Sequence, residues 1–342
     1  NRYNRSLSGG QIGRRRMSFV LDNWTVNFPP GLLREVADLW NRNSVDRHSF
    51  RFWNCELLQK NLFAADGSGI GAMRAARTKS GNLAGILHAN IINDAIAGSS
   101  GVIEMLLVDR PFRRQGLGGR LLGDGLDFLS RQKPGLRLVD AMGAWPYGFA
   151  YNSLADGSER SGVFLSEPEL YRLFRRAGFM MVRKSIVMRA DLSAVRLRRM
   201  PPGTVVRCSP RREETWLDQV FRGRDLWDHN LALPNGDVLS RAVFAFMDGE
   251  SEADGRALFS LFGVNTSPDR QRRGYASVNL SRLMEHVASL GGEFLEIHVY
   301  ADNHPAVALY RGLGFRHVAE TAMLHRIPPS PAGGNRFFKL FG

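Results

Sequence analysis

One pattern of residues occurs twice in this chain, and each copy predicts a strand, a turn and a helix. In the first copy an apolar run at 102–108 leads into a basic, glycine-containing turn and then a leucine-striped helix. In the second copy the apolar run at 258–264 has the same sequel. Glycines let a backbone approach a ligand closely, and free N–H groups at a helix start attract anions. Each copy therefore predicts an anion site, most naturally for a pyrophosphate.

The two turns also share a spacing of residue types. An Arg or Gln is followed three positions later by Gly, and two positions after that by Gly or Ala. The spacing is met by Arg113, Gly116 and Gly118 in the first copy, and by Gln271, Gly274 and Ala276 in the second. This spacing resembles the acyl-CoA-binding motif of the GNAT superfamily of N-acyltransferases. A single short glycine pattern arises easily by chance, but two copies in matching context do not.

The resemblance implies that acetyl-CoA is the co-substrate and that backbone groups do much of the binding. In this family the motif strand splays from its neighbour, and its N–H groups bind the pantetheine arm and the thioester oxygen, where they would stabilise the developing oxyanion. The implied cofactor-binding residues lie at the strand ends, in the turns and at one later asparagine. They are Leu107, Val108, Arg113, Arg114, Gln115, Gly116, Leu117, Gly118, Gly119, Val264, Gln271, Arg272, Arg273, Gly274, Tyr275, Ala276 and Asn303. No metal is expected, because no Cys/His cluster has ligand spacing.

After its helix, the second copy resembles a further element of the family. Residues 303–315 fit Asn-x-x-Ala-x-x-Leu-Tyr-x-x-x-Gly-Phe. The resemblance implies that Asn303 contacts the CoA arm and that Tyr310 protonates the departing thiolate. A phenol suits this role because it is protonated at neutral pH and donates a hydrogen bond. The implied reaction is direct attack by a neutral amine on the thioester, with no covalent enzyme intermediate.

The first copy departs from this element. Phe174 aligns with Tyr310, and a phenyl ring cannot donate a proton. Gly116 precedes Gly178 by 62 positions, whereas Gly274 precedes Gly314 by 40, so the first copy carries 22 extra residues, which fall within 143–166. The first copy is therefore expected to bind acyl-CoA without turnover or to be a structural half. The tyrosines that could replace the missing phenol are Tyr147, Tyr151 and Tyr171.

Glu104 is the candidate general base of the first copy. It is the one ionisable residue of an apolar strand, and in this family a strand carboxylate often accepts the amine proton. Burial would raise its pKa towards a useful value. A solvent-facing edge position, or an ion pair with an arginine, is the structural alternative. The second copy is expected to have Ser260 at this place, and would use water, Glu296 or His298 instead.

Each half of the chain predicts strand, helices, strands, motif strand, helix, strand, helix and strand. This order implies an α/β (α+β) class: two tandem GNAT domains, each a mixed, mostly antiparallel sheet flanked by helices. An early strand of the second domain is expected to be missing or shortened, because the front of the second half is short, and 225–237 look irregular. A basic disordered tail is predicted at 1–16, with Met17 as an alternative start. An N-terminal GNAT-like domain, here called the first half, is predicted at 17–191. A linker (192–203), a C-terminal GNAT domain (204–327, here called the second half) and a tail (328–342) are predicted to follow.

Composition narrows the function further. The net charge of +13 favours anionic ligands, and the phosphates of CoA satisfy this preference. Nucleic acid is an unlikely partner, because the basic residues are nearly all arginine and no nucleic-acid-binding signature accompanies them. No apolar run approaches the roughly 20 residues that span a bilayer. Two distant cysteines do not make a disulfide framework, so a cytoplasmic location without membrane attachment is expected.

The sequence thus predicts an N-acetyltransferase that moves an acetyl group from acetyl-CoA to a primary amine. The C-terminal domain is expected to be the active one. The alternative is an acyl-CoA-binding protein or interaction module without turnover. The acceptor would be a small-molecule or peptide amine, and the protein would be a monomer or a homodimer.

Overall fold

The computed structural model of the chain describes residues 19–24, 30–44, 53–56, 58, 70–94, 98–143, 151, 161–211, 226–247 and 257–328. Several predicted features lie outside these ranges. They are the tail 1–16, nearly all of the tail 328–342, most of a helix predicted at 51–64, Tyr147, a helix predicted at 212–222, and a turn predicted at 248–255.

The described part of the first half largely follows the predicted order of elements. Its elements are β1 Val20–Trp24, α1 Pro30–Ser44, β2 Ile70–Arg77, β3 Leu83–Asp94, β4 Gly98–Val108, α2 Leu117–Gln132, β5 Val139–Ala141, β6 Val163–Phe164, α3 Pro168–Arg176 and β7 Met180–Asp191. The short strand β6 was not predicted. It lies inside the 22-residue insertion, whose glycines and serines carry no strand pattern.

The second half has the same element order from its first described strand onward. Its elements are β8 Val205–Pro210, β9 Leu226–Ala232, β10 Val238–Phe246, β11 Leu258–Asn265, α4 Tyr275–Ser289, β12 Phe294–Tyr300, α5 His304–Gly312 and β13 Arg316–Arg326. The expectation that 225–237 are irregular is wrong. No early strand is missing from the described second half, although β9 and β10 are shorter than β2 and β3. Strand β9 pairs with both β8 and β10. Gly236, at φ 98°, belongs only to the tight turn after β9.

All of these strands belong to one continuous sheet. Apart from β6, which pairs with β13, the order is β1-β2-β3-β4-β5-β13-β7-β12-β11-β10-β9-β8. The final strand of each half is exchanged: β13 pairs with β5 of the first half, and β7 pairs with β12 of the second. The two exchanged strands pair with each other at the centre. The halves are therefore joined through the middle of the sheet.

The apolar cores show the same exchange. The first-half core includes Ala322 and Leu324 from β13, and the second-half core includes Met188 and Ala190 from β7. The exchange thus buries apolar surface as well as completing backbone hydrogen bonds. In the described part of the chain, no helix is both long and apolar enough to cross a membrane.

Buried polar pairs connect the exchanged strands to their new neighbours. His325 on β13 lies 3.3 Å from Asp140 on β5. Arg189 on β7 lies 2.7 Å from Glu296 on β12. Both carboxylates have 0% side-chain exposure, so each requires its cationic or hydrogen-bonding partner to remain buried. The two pairs stand at equivalent places in the two halves.

Candidate active sites at the two splayed strand pairs

The two motif turns have the same backbone conformation. Gly116 and Gly274 lie just before α2 and α4 with φ 82° and 80°. Arg114 and Arg272, two residues earlier in each turn, have φ 63° and 59°, which is uncommon for a side chain with a Cβ. The turns therefore hold the same strained shape in both copies, with backbone N–H groups gathered at a helix start. This is the arrangement that binds a phosphate or another anion.

Next to each turn, two parallel strands separate. Strand β4 pairs with β5 only over Gly101–Ile103, although β4 continues to Val108. Strand β11 pairs with β12 only over Leu258–Ser260, although β11 continues to Asn265. Beyond these short ladders the backbones diverge and open a slot between the strands. The predicted ends of the motif strands, at Leu107, Val108 and Val264, all lie in the diverging parts.

A cleft of about 990 Å³ opens at the first motif turn. Arginines 110, 113, 114, 172 and 176 contribute to its wall, which suits a polyphosphate. Arg114 already faces Glu169 of α3 at 2.7 Å, but both side chains are more than half exposed, so this pair adds little stability. The predicted cofactor residues that line the cleft are Leu107, Val108, Arg113, Arg114, Gly116, Gly118 and Gly119.

The residue that opens each motif stabilises the turn itself. Arg113 Nε donates to the Val108 carbonyl at 2.8 Å, and Gln271 Nε2 donates to the Thr266 carbonyl at 3.0 Å. Arg and Gln are thus interchangeable here, because either can bond the carbonyl five residues back. Gln115 likewise donates to the Pro111 carbonyl at 3.1 Å.

The rest of the predicted set divides into core and surface positions. The side chain of Leu117 is buried, so only its backbone can face a ligand. A Cβ on Gly118 would lie 3.2 Å from Leu173, so the chain passes close to α3 there. Gly119 is exposed, as are Arg272 and Arg273, while Tyr275 and Ala276 are half-buried at the start of α4.

Tyr310 and Phe174 occupy equivalent places in the two halves. Tyr310 on α5 is buried, and its ring centroid lies 5.5 Å from that of Phe315. Phe174 on α3 is also buried, and its ring lies 5.0 Å from Phe179. Burial raises the pKa of Tyr310 above its usual value, so the phenol stays protonated at neutral pH. The alignment of Phe174 with Tyr310 in the sequence is thus matched by the packing.

The other tyrosines considered for the first half are placed differently. Tyr151 is fully buried, stacked on Trp53 at 5.6 Å and edge-on to His88 at 5.7 Å. Tyr171 lies half-buried on α3 against the first-half core. Tyr147 is outside the described residues.

Asn303 caps a helix. Its side-chain Oδ1 accepts a hydrogen bond from the Ala306 N–H at 3.3 Å, at the start of α5. An N-cap asparagine fixes where the helix begins, and therefore where Tyr310 lies two turns later. The residue is exposed, so its position also allows the predicted ligand contact.

Glu104 lies at a β-bulge. The register of β3 and β4 shifts between the pairs Ala89–Ile103 and His88–Met105, which leaves Glu104 as the extra residue. The matching bulge between β10 and β11 leaves Phe262 as the extra residue. The assignment of Ser260 as the counterpart of Glu104 is therefore wrong, because the bulge, the turn and the helix all align Glu104 with Phe262. Glu104 is 1% exposed, so the solvent-facing alternative is wrong as well.

Glu296 and His298, the other candidate bases, belong to one buried polar network. Glu296 accepts two hydrogen bonds from Arg189, at 3.0 and 2.7 Å. His298 Nε2 lies 3.5 Å from the other Glu296 oxygen. His298 Nδ1 lies 2.7 Å from Ser161 Oγ, which comes from the first half. Sequence reading missed Ser161 and Arg189, because nothing local indicates that they meet β12 across the exchange.

Comparison with known proteins agrees with the splayed strands and the turns. Residues 33–143 match the family described as Acetyltransferase (GNAT) family, and residues 256–324 match the family described as FR47-like protein. Residues 33–143 thus form a domain of the GNAT family of acetyltransferases. In the described residues, no group of three or more His, Cys, Asp or Glu side chains is arranged to hold a metal.

Several named proteins are similar to this one. A mycothiol acetyltransferase of Clavibacter sepedonicus is 24% identical over 250 residues, which cover 67% of this chain and 74% of that protein. The ribosomal protein bS18-alanine N-acetyltransferase of Salmonella typhimurium is 39% identical over 56 residues, 16% of this chain and 38% of that protein. A solved tandem GNAT protein from the clavulanic acid biosynthesis pathway superposes with a TM-score of 0.69 at 14% identity, over 92% of this chain and 100% of that one. The last likeness concerns the fold alone.

Proposed function

We propose that the chain transfers the acetyl group of acetyl-CoA to a primary amine, and that the second half performs the reaction. The observation that carries this assignment is the difference between Tyr310 and Phe174 at equivalent, equally buried places. Only the second half has a phenol there, and burial keeps that phenol protonated. A protonated phenol is suited to give its proton to a leaving thiolate.

The exposure of the slot strands favours the same half. Strand β11 is half-buried from Phe262 to Val264 and exposed at Asn265, whereas β4 stays buried as far as Leu107. His298 as a whole is half-buried although its side chain is only 3% exposed, so its exposure lies at the main chain. A partly exposed slot is what an approaching amine requires.

The residues of the second half then have distinct roles. The turn around Gly274, with Arg272 and Arg273, would hold the pyrophosphate. Main-chain N–H groups of β11 beyond Ser260 would donate to the thioester oxygen. Tyr310 would give its proton to the sulfur as the carbon–sulfur bond breaks.

The first half is proposed to bind acyl-CoA without turnover. Its cleft has five arginines and the same turn conformation, which support binding. The absence of a phenol at Phe174 opposes catalysis by the same route. The acceptor class follows from the family and from the names of two relatives, one acting on a small molecule and the other on a protein alanine. A small-molecule or peptide amine is therefore proposed.

The experiment is CoA release from acetyl-CoA across a panel of amines, with Tyr310→Phe beside Tyr171→Phe as the matched control. We expect Tyr310→Phe to lower kcat by about 100-fold. Its melting temperature should be unchanged, because Phe174 shows that a phenyl ring packs in such surroundings. A larger loss in Tyr171→Phe would move catalysis to the first half, and release without any dependence on amine would contradict amine transfer.

A further inference from the structure

A buried chain of polar groups crosses the boundary between the two halves. Ser161 Oγ lies 2.7 Å from His298 Nδ1 and 2.7 Å from Thr321 Oγ1. His298 Nε2 faces Glu296, which Arg189 holds by two hydrogen bonds. Ser161 is 7% exposed, and the side chains of His298 and Glu296 are 3% and 0% exposed. Hydroxyl, imidazole and carboxylate thus stand in sequence in a water-poor setting.

The His298 end of the network lies at the slot of the second half. His298 comes after the last residue of β12 that pairs with β11, so it belongs to the diverging part of the strand. Ile297 and Val299 pack in the same core as Tyr310. Because side chains alternate along a strand, His298 points to the opposite face of the sheet. Tyr310 and His298 therefore lie on opposite faces of the sheet.

The first half fixes the position of Ser161. The next residue, Gly162, has φ 96°, and a Cβ there would overlap the carbonyl of Ala322 on β13. Only glycine allows this close approach. Strand β6 then pairs with β13, and the Leu165 N–H donates to the Glu320 carbonyl at 2.9 Å. The insertion in the first half is thus anchored on the last strand of the second half, with Ser161 against His298.

We propose that His298, positioned by Ser161, forms the proton-accepting arm of the second-half site, so that the first half completes the active site of the second. The proposal rests on the transfer reaction proposed above. The amine nitrogen bonds to the carbonyl carbon while the carbon–sulfur bond breaks. The amine proton passes to His298 Nε2, while the Nδ1–H of His298 donates to Ser161 Oγ and keeps the ring in place. Tyr310 gives its proton to the thiolate, and solvent then takes the proton from His298 and returns one to Tyr310.

Glu296 stabilises the imidazolium that forms. The charged group in contact with His298 is Glu296 on the same strand, and the charge behind it is Arg189 on β7. Ser161 and Thr321 contribute neutral hydroxyls, and the β7 residue opposite His298 is Val187. The Oε1 atom of Glu296 lies 3.5 Å from His298 Nε2, the nitrogen that takes up the proton.

The test compares His298→Gln and Ser161→Ala with the parent, by kcat, KM for acetyl-CoA, the pH–rate profile and melting temperature. We expect kcat to fall by about 100-fold in His298→Gln and about 10-fold in Ser161→Ala, with KM for acetyl-CoA changed less than about twofold. The acidic limb of the kcat profile should disappear in His298→Gln. The matched control is His325→Gln, which removes another buried histidine from the centre of the sheet. It should lower the melting temperature without removing the acidic limb.

The outcomes separate the two proposals. If Tyr310→Phe loses activity while Ser161→Ala and His298→Gln keep the kcat and pH profile of the parent, the proton arm is overturned and amine acetylation stands. If Ser161→Ala, His298→Gln and His325→Gln all lose activity only in proportion to the fall in their melting temperatures, the network is structural. The proton-accepting arm is then again overturned. If the parent acetylates no amine of the panel, both proposals fail together.

Discussion

Single residues show how similar backbones carry different chemistry in the two halves. Glu104 and Phe262 occupy equivalent bulges in the two halves, and Phe174 and Tyr310 occupy equivalent packing sites. Only one member of each pair can exchange a proton. Neither half has both a carboxylate at the bulge and a phenol at the packing site. The sequence alone identified the Tyr310–Phe174 pair, because it lies within a run of seven aligned residues, 173–179 and 309–315. The assignment of Ser260 as the counterpart of Glu104 overlooked that Glu104 and Phe262 stand equally far before Gly116 and Gly274.

Buried histidines give a prediction for stability against pH. Burial lowers the pKa of both His88 and His229 to about 4, against an ordinary value of 6.5. Between pH 6.5 and 4 the unfolded chain therefore binds protons that the folded chain does not. Stability should be complete above about pH 6.5 and should fall as the pH approaches 4, by about 3 kcal/mol for each histidine.

The measurement is denaturant unfolding between pH 4.5 and 7.5. His88→Gln should have a shallower slope of unfolding free energy against pH than the parent, whatever its absolute stability. The exposed His304→Gln is the control for removing an imidazole. An unchanged slope in His88→Gln would contradict the assignment of a buried neutral histidine.

At the scale of elements, the turn and the helix that follows it form the repeated ligand-binding unit. The helix starts, strand ends and left-handed glycines recur, while the arginines around them differ. The sequence could therefore predict the unit from local spacing. It could not predict that Arg113 and Gln271 bond carbonyls of their own turns, because that depends on the folded backbone.

Matched glycine variants test this unit. Gly116→Glu and Gly274→Glu both place a side chain at φ near 80° with no atom within 4 Å, so their strain is similar. Each also places a carboxylate where a pyrophosphate would bind. In calorimetric titration with CoA we expect each variant to lose one of two binding events, and Gly274→Glu to lower turnover about 100-fold. A greater loss of turnover in Gly116→Glu would contradict catalysis in the second half.

At the scale of the whole molecule, the exchanged strands make the halves interdependent. A fragment of residues 17–191 lacks β13, which covers β5 and β7, and a fragment of 204–327 lacks β7, which lies between β12 and β13. Each fragment would expose a central strand edge and part of an apolar core. The predicted boundaries thus separate two halves of the sequence, but each half depends on a strand of the other to complete its sheet.

Expression of the halves tests this interdependence. We expect each fragment alone to be aggregated or to lack a cooperative thermal transition, and the two co-expressed fragments to purify together with a transition. Circular dichroism and size-exclusion chromatography measure both. Two fragments that fold separately with sharp transitions would show that the exchange is dispensable.

The sequence by itself determined the family, the duplication and the positions of the turns and of Tyr310. These features depend on contacts between residues near in the chain, so spacing and periodicity record them. The tertiary structure alone decided the strand exchange and the meeting of Ser161 with His298. Those contacts join residues more than 100 positions apart, and no local pattern encodes them.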